Sequence, residues 1–250
     1  MAGLNANNQT GTGGGDYVEQ EALEVKQYPG RVVQVIDLGL QPQKPYNGKD
    51  KPPVDKIHMT YEFSDEFLKD DEGNDREDMP RWLSEDFPFY SLDADKAKST
   101  LRYNAIDPTG VLGGEFTEMV GMPLQILVVK EPKRDRKKNN KPIDGKFVNY
   151  VGDISGPVAV KGYEQPALVN PGAVFTLAEP DLEVFNKLPD WLQDRIKGNL
   201  NYNGSKLQGM LGEEPVPVQD DVPAGNSEPP APPAPPAPPA PEAPAPDVPQ

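Results

Sequence analysis

Five runs of β-branched and aromatic residues, broken once by a segment of helical period, constrain this chain to a small, mainly β fold. Arg31 to Leu38 is rich in Val and Ile and is bounded by Pro29-Gly30 and Gly39, the punctuation of a strand. Lys56 to Phe63 alternates, with Ile57, Met59, Tyr61 and Phe63 on one face and His58, Thr60 and Glu62 on the other. By that pattern His58 is a surface residue. Arg81 to Tyr90 supplies a third strand with Trp82, Phe87, Phe89 and Tyr90, and Pro88 confines its end to an edge or a bulge. Leu124–Val129 and Phe147–Val151 are the fourth and fifth strands. Between the third and fourth, Asp93 to Asp107 changes period. Ala94, Ala97, Leu101 and Ala105 recur at steps of three and four, which places them on one helical face. Phe116, Met119 and Val120 make a further turn of helix stopped by Gly121.

Strand, strand, strand, helix, strand, strand is the element order of an OB-fold, a five-stranded Greek-key barrel with a helix between strands three and four. A helical pair is expected after it. Pro180 and Pro189 stand near first helical positions, each followed by Asp, and Gly198 ends the second helix. Leu182, Phe185 and Leu188 line the first helix; Trp191, Leu192 and Ile196 line the second, with Trp191 read as an anchor onto the barrel ahead of a base-stacking platform. A homodimer contact is one use for such a pair. The chain ends are different material. Residues 1–15 are small, polar and uncharged, and residues 213–250 hold fifteen prolines, seven acids and no Lys or Arg. Neither can bury enough apolar surface to offset chain entropy, so both are expected to be disordered. The organisation is an N-terminal arm (1–23), an OB-fold domain (24–165), a helical appendage (166–206) and an acidic Pro-rich tail (207–250).

Charge is segregated along this frame. Against a formal net charge of −15, the run 130–146 carries eight Lys/Arg and three acids. It lies between strands four and five. The connection between strands one and two carries Lys44, Lys49, Lys51 and the ring of Tyr46. In an OB-fold these two connections flank the oligonucleotide-binding face. The acid falls elsewhere, with eight acids between Asp65 and Asp78 in a segment read as a loop, and seven more in the tail. Clustered cations suit a polyanion, because phosphate contacts release counterions. The blander reading of the same run is a long exposed loop that collects Lys and Asn. The first choice for phosphate contact is Lys133, Arg134, Arg136, Lys137, Lys138, Lys141 and Lys146, followed by Lys44, Lys49 and Lys51. Tyr46, Trp82 and Tyr150 are candidates for base stacking, each equally readable as a core or surface ring.

Catalytic chemistry finds little material. One histidine and no cysteine exclude His-metal clusters and thiol nucleophiles, and a Ser-His-Asp triad would have to use His58. Asp70 to Asp78 crowds carboxylates, but its glycine and its missing final Glu fail the EF-hand pattern. A nuclease would need Asp37, Asp86 and Asp153 to converge on a metal. The chain is read as a non-enzyme with no cofactor and no bound metal. No apolar run approaches the ~20 residues that cross a bilayer and no signal-peptide core is present. A soluble cytoplasmic protein without membrane partners is therefore expected.

Three stretches add a resemblance. Gly30–Gly39, Pro80-Arg81-Trp82-Leu83-Ser84 and Gly113-Gly114-Glu115-Phe116 with Val120-Gly121-Met122-Pro123 resemble a family of tailed-phage replication proteins, as does Leu188-Pro189-Asp190-Trp191. The likeness spans about residues 28–155. It implies an OB-fold single-stranded DNA-binding protein of phage replication and recombination, at work in the host cytoplasm with weak sequence preference. The acidic tail would tether replication or recombination partners, or compete with DNA for the basic loops. The last residues, Pro246 to Gln250, lack the terminal aromatic with which such proteins commonly recruit partners. The rival reading is an OB-like structural or protein-interaction module that binds no DNA.

Overall fold

The computed structural model describes residues 20–135 and 140–215. Its strands are β1 (Gln27–Gln41), β2 (Val54–Lys69), β3 (Asp75–Pro88), β4 (Pro123–Asp135), β5 (Lys141–Ser155) and β6 (Ala173–Phe175). The helices are α1 (Lys98–Ile106), α2 (Leu182–Lys187), α3 (Asp190–Lys197) and α4 (Lys206–Met210), with a 3₁₀ turn at Phe116–Met119. The fold is mainly β. One sheet runs in the order β3-β2-β1-β4-β5 with antiparallel neighbours, and β6 adds to β1 in parallel.

Strand β1 organises the interior because both of its faces are apolar. Val32 and Val35 enter a core with Ile57, Met59, Tyr61, Phe63, Phe87, Ile126 and Val128. Ile36 and Leu38 enter a second core with Phe175, Phe185, Leu188, Leu192, Ile196 and Leu207. Each such side chain contributes roughly 1.5–3 kcal/mol on burial, so the helices pack firmly on the outside of β1. Gly30 lets β1 bend between its neighbours. It pairs with Phe63 on one side and Leu124 on the other, and a Cβ there would stand 2.6 Å from Ile126 Cδ1 and 2.7 Å from the Glu62 carbonyl.

Several expectations need correction. The acidic segment 65–79 is not a loop but the end of a β-hairpin, with Lys69 paired to Asp75 across the strands. Asp70 closes its turn by accepting the backbone N–H groups of Glu72 and Asn74 at 3.0 and 2.8 Å. Most of the basic run is likewise strand, because β4 and β5 pair as far as Asp135 and Lys141. Helix α1 starts at Lys98 and buries Ser99, Arg102, Tyr103 and Ile106, while Leu101 is exposed. Of the apolar face read from Ala94, Ala97, Leu101 and Ala105, Ala105 packs on the core, Leu101 does not, and Ala94 and Ala97 precede the helix. Arginine is tolerated inside because a buried carboxylate, Glu85, meets it there, with the exposed Asp153 at its outer end. Arg102 Nε donates to Glu85 on β3 at 2.8 Å, and its Nη1 bonds Asp153 on β5. The tail was expected from 207, but Leu207 is fully buried in α4, and Glu213 accepts from Lys197 Nζ at 2.7 Å. Residues 1–19, Arg136, Lys137, Lys138 and the tail from 216 lie outside the described residues. Among the described residues, no helix is long and apolar enough to cross a membrane.

Candidate functional site

Two clusters of cations and rings lie along the β2–β3 pair, one at the end where Lys56 pairs with Pro88 and one near its middle, where Glu62 pairs with Trp82. The first is built by the β1–β2 connection. Asn47 and Gly48 take positive φ (51° and 72°), the combination a tight primed turn demands, and Tyr46 and Lys49 exchange backbone hydrogen bonds across it. The turn presents Tyr46, which is 64% exposed, with Lys51 Nζ 4.8 Å from the centre of its ring. Lys44, Tyr46, Lys51, Lys56 and Arg195 share a cavity of about 460 Å³ whose acid is Asp86. That acid is held. Burial alone would raise its carboxyl, but hydrogen bonds from His58 and Arg195 outweigh burial and keep it below the ordinary carboxylate range.

The second cluster joins the outer part of the β4–β5 hairpin to β3. Arg81, Trp82, Lys133, Phe147 and Asn149 line a cavity of about 310 Å³. Trp82 is exposed along its ring, and its Nε1–H donates to Glu62 at 3.0 Å. Phe147 is similarly exposed, with Lys130 Nζ 5.0 Å from its ring centre. Burial lowers the Arg81 guanidinium from its ordinary value, against the opposing pull of Glu66 and Tyr28.

Of the expected residues, the structure groups Lys44, Tyr46 and Lys51 at one end of the β2–β3 pair, and Trp82 with Lys133 near its middle. Lys49 and Arg134, Lys141 and Lys146 are exposed along the turn and the hairpin and line neither cavity. Arg134 Nη1 donates to the Asn140 carbonyl at 3.2 Å. Tyr150 pairs with Val129, and alternation puts it on the opposite face of β5 from Phe147. Arg136, Lys137 and Lys138 fall outside the described residues. Four contributors were not anticipated: Lys56, Arg81, Phe147 and Arg195. Phe147 was legible, since it directly follows Lys146 in a strand; Arg195 carried no signal, because only the fold brings α3 to β3.

Between the clusters, the outer surface of β2 is closed. His58, Thr60 and Glu62 are 5%, 1% and 3% exposed, which overturns the surface reading of His58. Its Nδ1 lies 2.6 Å from Asp86, and its ring makes a T-shaped contact with Trp191 at 5.5 Å between centroids. Glu62 accepts from Val169 N at 2.6 Å and from Asn170 Nδ2 at 2.7 Å. Arg31 holds the preceding residues by donating to the Gln165 and Pro166 carbonyls at 2.7 and 2.6 Å. Trp191 is not a buried anchor. It is 52% exposed, and Leu192 and Ile196 anchor α3 instead.

The three aspartates weighed for a nuclease do not converge. Asp37 accepts from Gly39 N and Leu177 N, Asp86 faces His58 and Arg195, and Asp153 faces Arg102. Among the described residues no group of three or more His, Cys, Asp or Glu is placed to hold a metal ion. The chain matches no protein-family model, no curated protein and no solved structure.

Proposed function

We propose that this chain is a single-stranded DNA-binding protein on an OB-type barrel, of the kind used in phage replication and recombination. The strand order β3-β2-β1-β4-β5, with α1 between β3 and β4, fits that barrel. Arg102 supports it further by joining the two end strands of the order, β3 through Glu85 and β5 through Asp153. The observation that carries the function is the pairing of exposed rings with cations: Tyr46 with Lys44 and Lys51, and Trp82 and Phe147 with Lys133. Single strands are held in this way, phosphates on Lys and Arg and bases on aromatic faces, with little sequence preference. The basic hairpin adds phosphate contacts that carry no base information. A labelled oligonucleotide in a mobility-shift gel tests the reading. It predicts a shift at about 50 mM salt that weakens steeply as salt rises, and no cleavage when Mg²⁺ is added. Absence of a shift at low salt would reject it.

The protein-interaction reading also has an observation in its favour. The outer face of β2 already holds polypeptide, since Val169 and Asn170 are bound to Glu62. That reading predicts no shift under any salt condition.

A further inference from the structure

Helix α3 stands where a strand surface would otherwise meet a ligand. His58, Thr60 and Glu62 point outward from β2, yet all three are sealed beneath residues 169–170 and Trp191. A single strand passing between the two clusters cannot touch them. It meets α3 first.

The helix is fixed from below and presents functional groups above. Leu192 and Ile196 lie in the second core, 1% and 0% exposed, so α3 is a rigid support. Trp191 and Arg195 are four residues apart, neighbours on one helical face. Half of the large Trp191 surface is open, and the ring makes a T-shaped contact with His58. Arg195 bonds Asp86 and lines the same cavity as Lys44, Lys51 and Lys56. His58 and Trp82 lie on one face of the β2–β3 pair, because their partners Asp86 and Glu62 do. Four residues of β2 separate these positions, about 13 Å at strand rise. Trp191, resting on His58, therefore lies between the Tyr46 cluster and Trp82, at a spacing that successive nucleotides can bridge.

We infer that α3 forms the middle of the nucleic-acid surface, with Trp191 stacking on a base while Arg195 joins the lysines of the Tyr46 cluster in holding the adjacent phosphates. The inference rests on the single-stranded DNA reading above and adds a helix that the sequence pattern assigned to packing. An exposed Trp beside an Arg favours a nucleic acid over a protein partner here, because three lysines face the same cavity and its acid, Asp86, is already paired.

The chain has two tryptophans, so Trp82→Phe leaves Trp191 as the sole indole reporter. Anisotropy of a labelled oligo-dT of about twenty nucleotides reads binding, and tryptophan emission of the variant reads stacking at Trp191. The inference predicts that Trp191 emission changes in step with the anisotropy. It also predicts that Trp191→Leu in the otherwise unchanged chain weakens binding about tenfold, with Trp191→Phe much closer to the parent. Binding with silent Trp191 emission, or with unchanged affinity in Trp191→Leu, overturns the inference and leaves the DNA reading intact. No binding by the parent chain overturns both. Loss of binding in Trp191→Leu together with a lowered melting temperature is decided by the emission experiment, in which Trp191 is intact.

Discussion

The β2–β3 and β4–β5 hairpins have the same architecture and opposite charge, and they handle that charge differently. In the acidic hairpin part of the charge is answered locally. Asp70 accepts hydrogen bonds from its own turn, Asn74 first, which lowers its carboxyl from the ordinary range, and Lys69–Asp75 and Arg76–Asp78 pair at 2.7 and 3.2 Å. In the basic hairpin, Lys130 pairs with Glu24 at 3.3 Å, but among the described residues no carboxylate pairs with Lys133 or Lys141. A charge answered within its own hairpin has little left for a partner, whereas an unanswered one keeps its long-range field. The turn of the acidic hairpin is thus partly tied up in its own bonds, whereas the basic hairpin keeps Lys133 and Lys141 for a partner.

Both hairpins share a base, and the largest expected effect comes from cutting it. Arg102 is 3% exposed and joins β3 to β5, and the Glu85 side chain it faces is nearly as buried. Arg102→Ala should cost about 3 kcal/mol, the lower end for a broken buried pair, since Glu85 keeps Lys98 and Tyr61 as partners. Chemical denaturation checks this; a loss below about 1 kcal/mol would mean that the two strands are held together without it.

The next effect separates the hairpins by function. Replacing Lys133, Arg134, Lys141 and Lys146 with Ser should weaken oligonucleotide binding by about a hundredfold at moderate salt, equally for all sequences. Replacing Asp70, Asp71, Glu72 and Asp75 with Asn should leave affinity within a few-fold and cost modest stability, because their bonds are local. Equal losses from both sets, measured by anisotropy, would erase the contrast.

The contrast was only partly legible in the sequence. Ile57, Met59, Tyr61 and Phe63 face the core as their alternation requires, because hydropathy reports apolar burial directly. The extent of both hairpins was hidden, since charged residues on exposed strands look like loop residues until their cross-strand pairing is known. The buried face of α1 was partly misread for a related reason. Arg102 is inside because the buried Glu85 and the more exposed Asp153 hold it, and those partners are 17 and 51 residues away. His58 and Glu62 failed similarly, as their cover comes from residues beyond 165. Of the site, the cations were legible and their grouping was not.

Smaller effects refine the picture around the Tyr46 cluster. The Asp86 carboxyl lies below its ordinary value of 3.8 when folded. Its contribution is therefore present above that value and is lost as pH falls through the depressed one. Acidification below about pH 4 should loosen α3 from β3. Trp191 emission in Trp82→Phe would report this, and Asp86→Asn should flatten the response; an unchanged acid transition in that variant would place the coupling elsewhere. The smallest expected effect concerns the acidic segment from residue 216. Removing it should tighten binding a few-fold at low salt, since a tethered polyanion competes for the same cations. Equal affinities for the full and truncated chains would leave that segment only a tethering role.

The most direct test of the difference between the hairpins is the salt dependence of oligonucleotide binding in the parent chain and in the basic-hairpin variant. With ~6 phosphates neutralised, the log–log slope of the parent should lie near −4 on the single-strand coefficient. Loss of four contacts should bring the variant to about −1 to −2. The same slope in both chains, or a flat response in the parent, would contradict the assignment of phosphate binding to the basic hairpin.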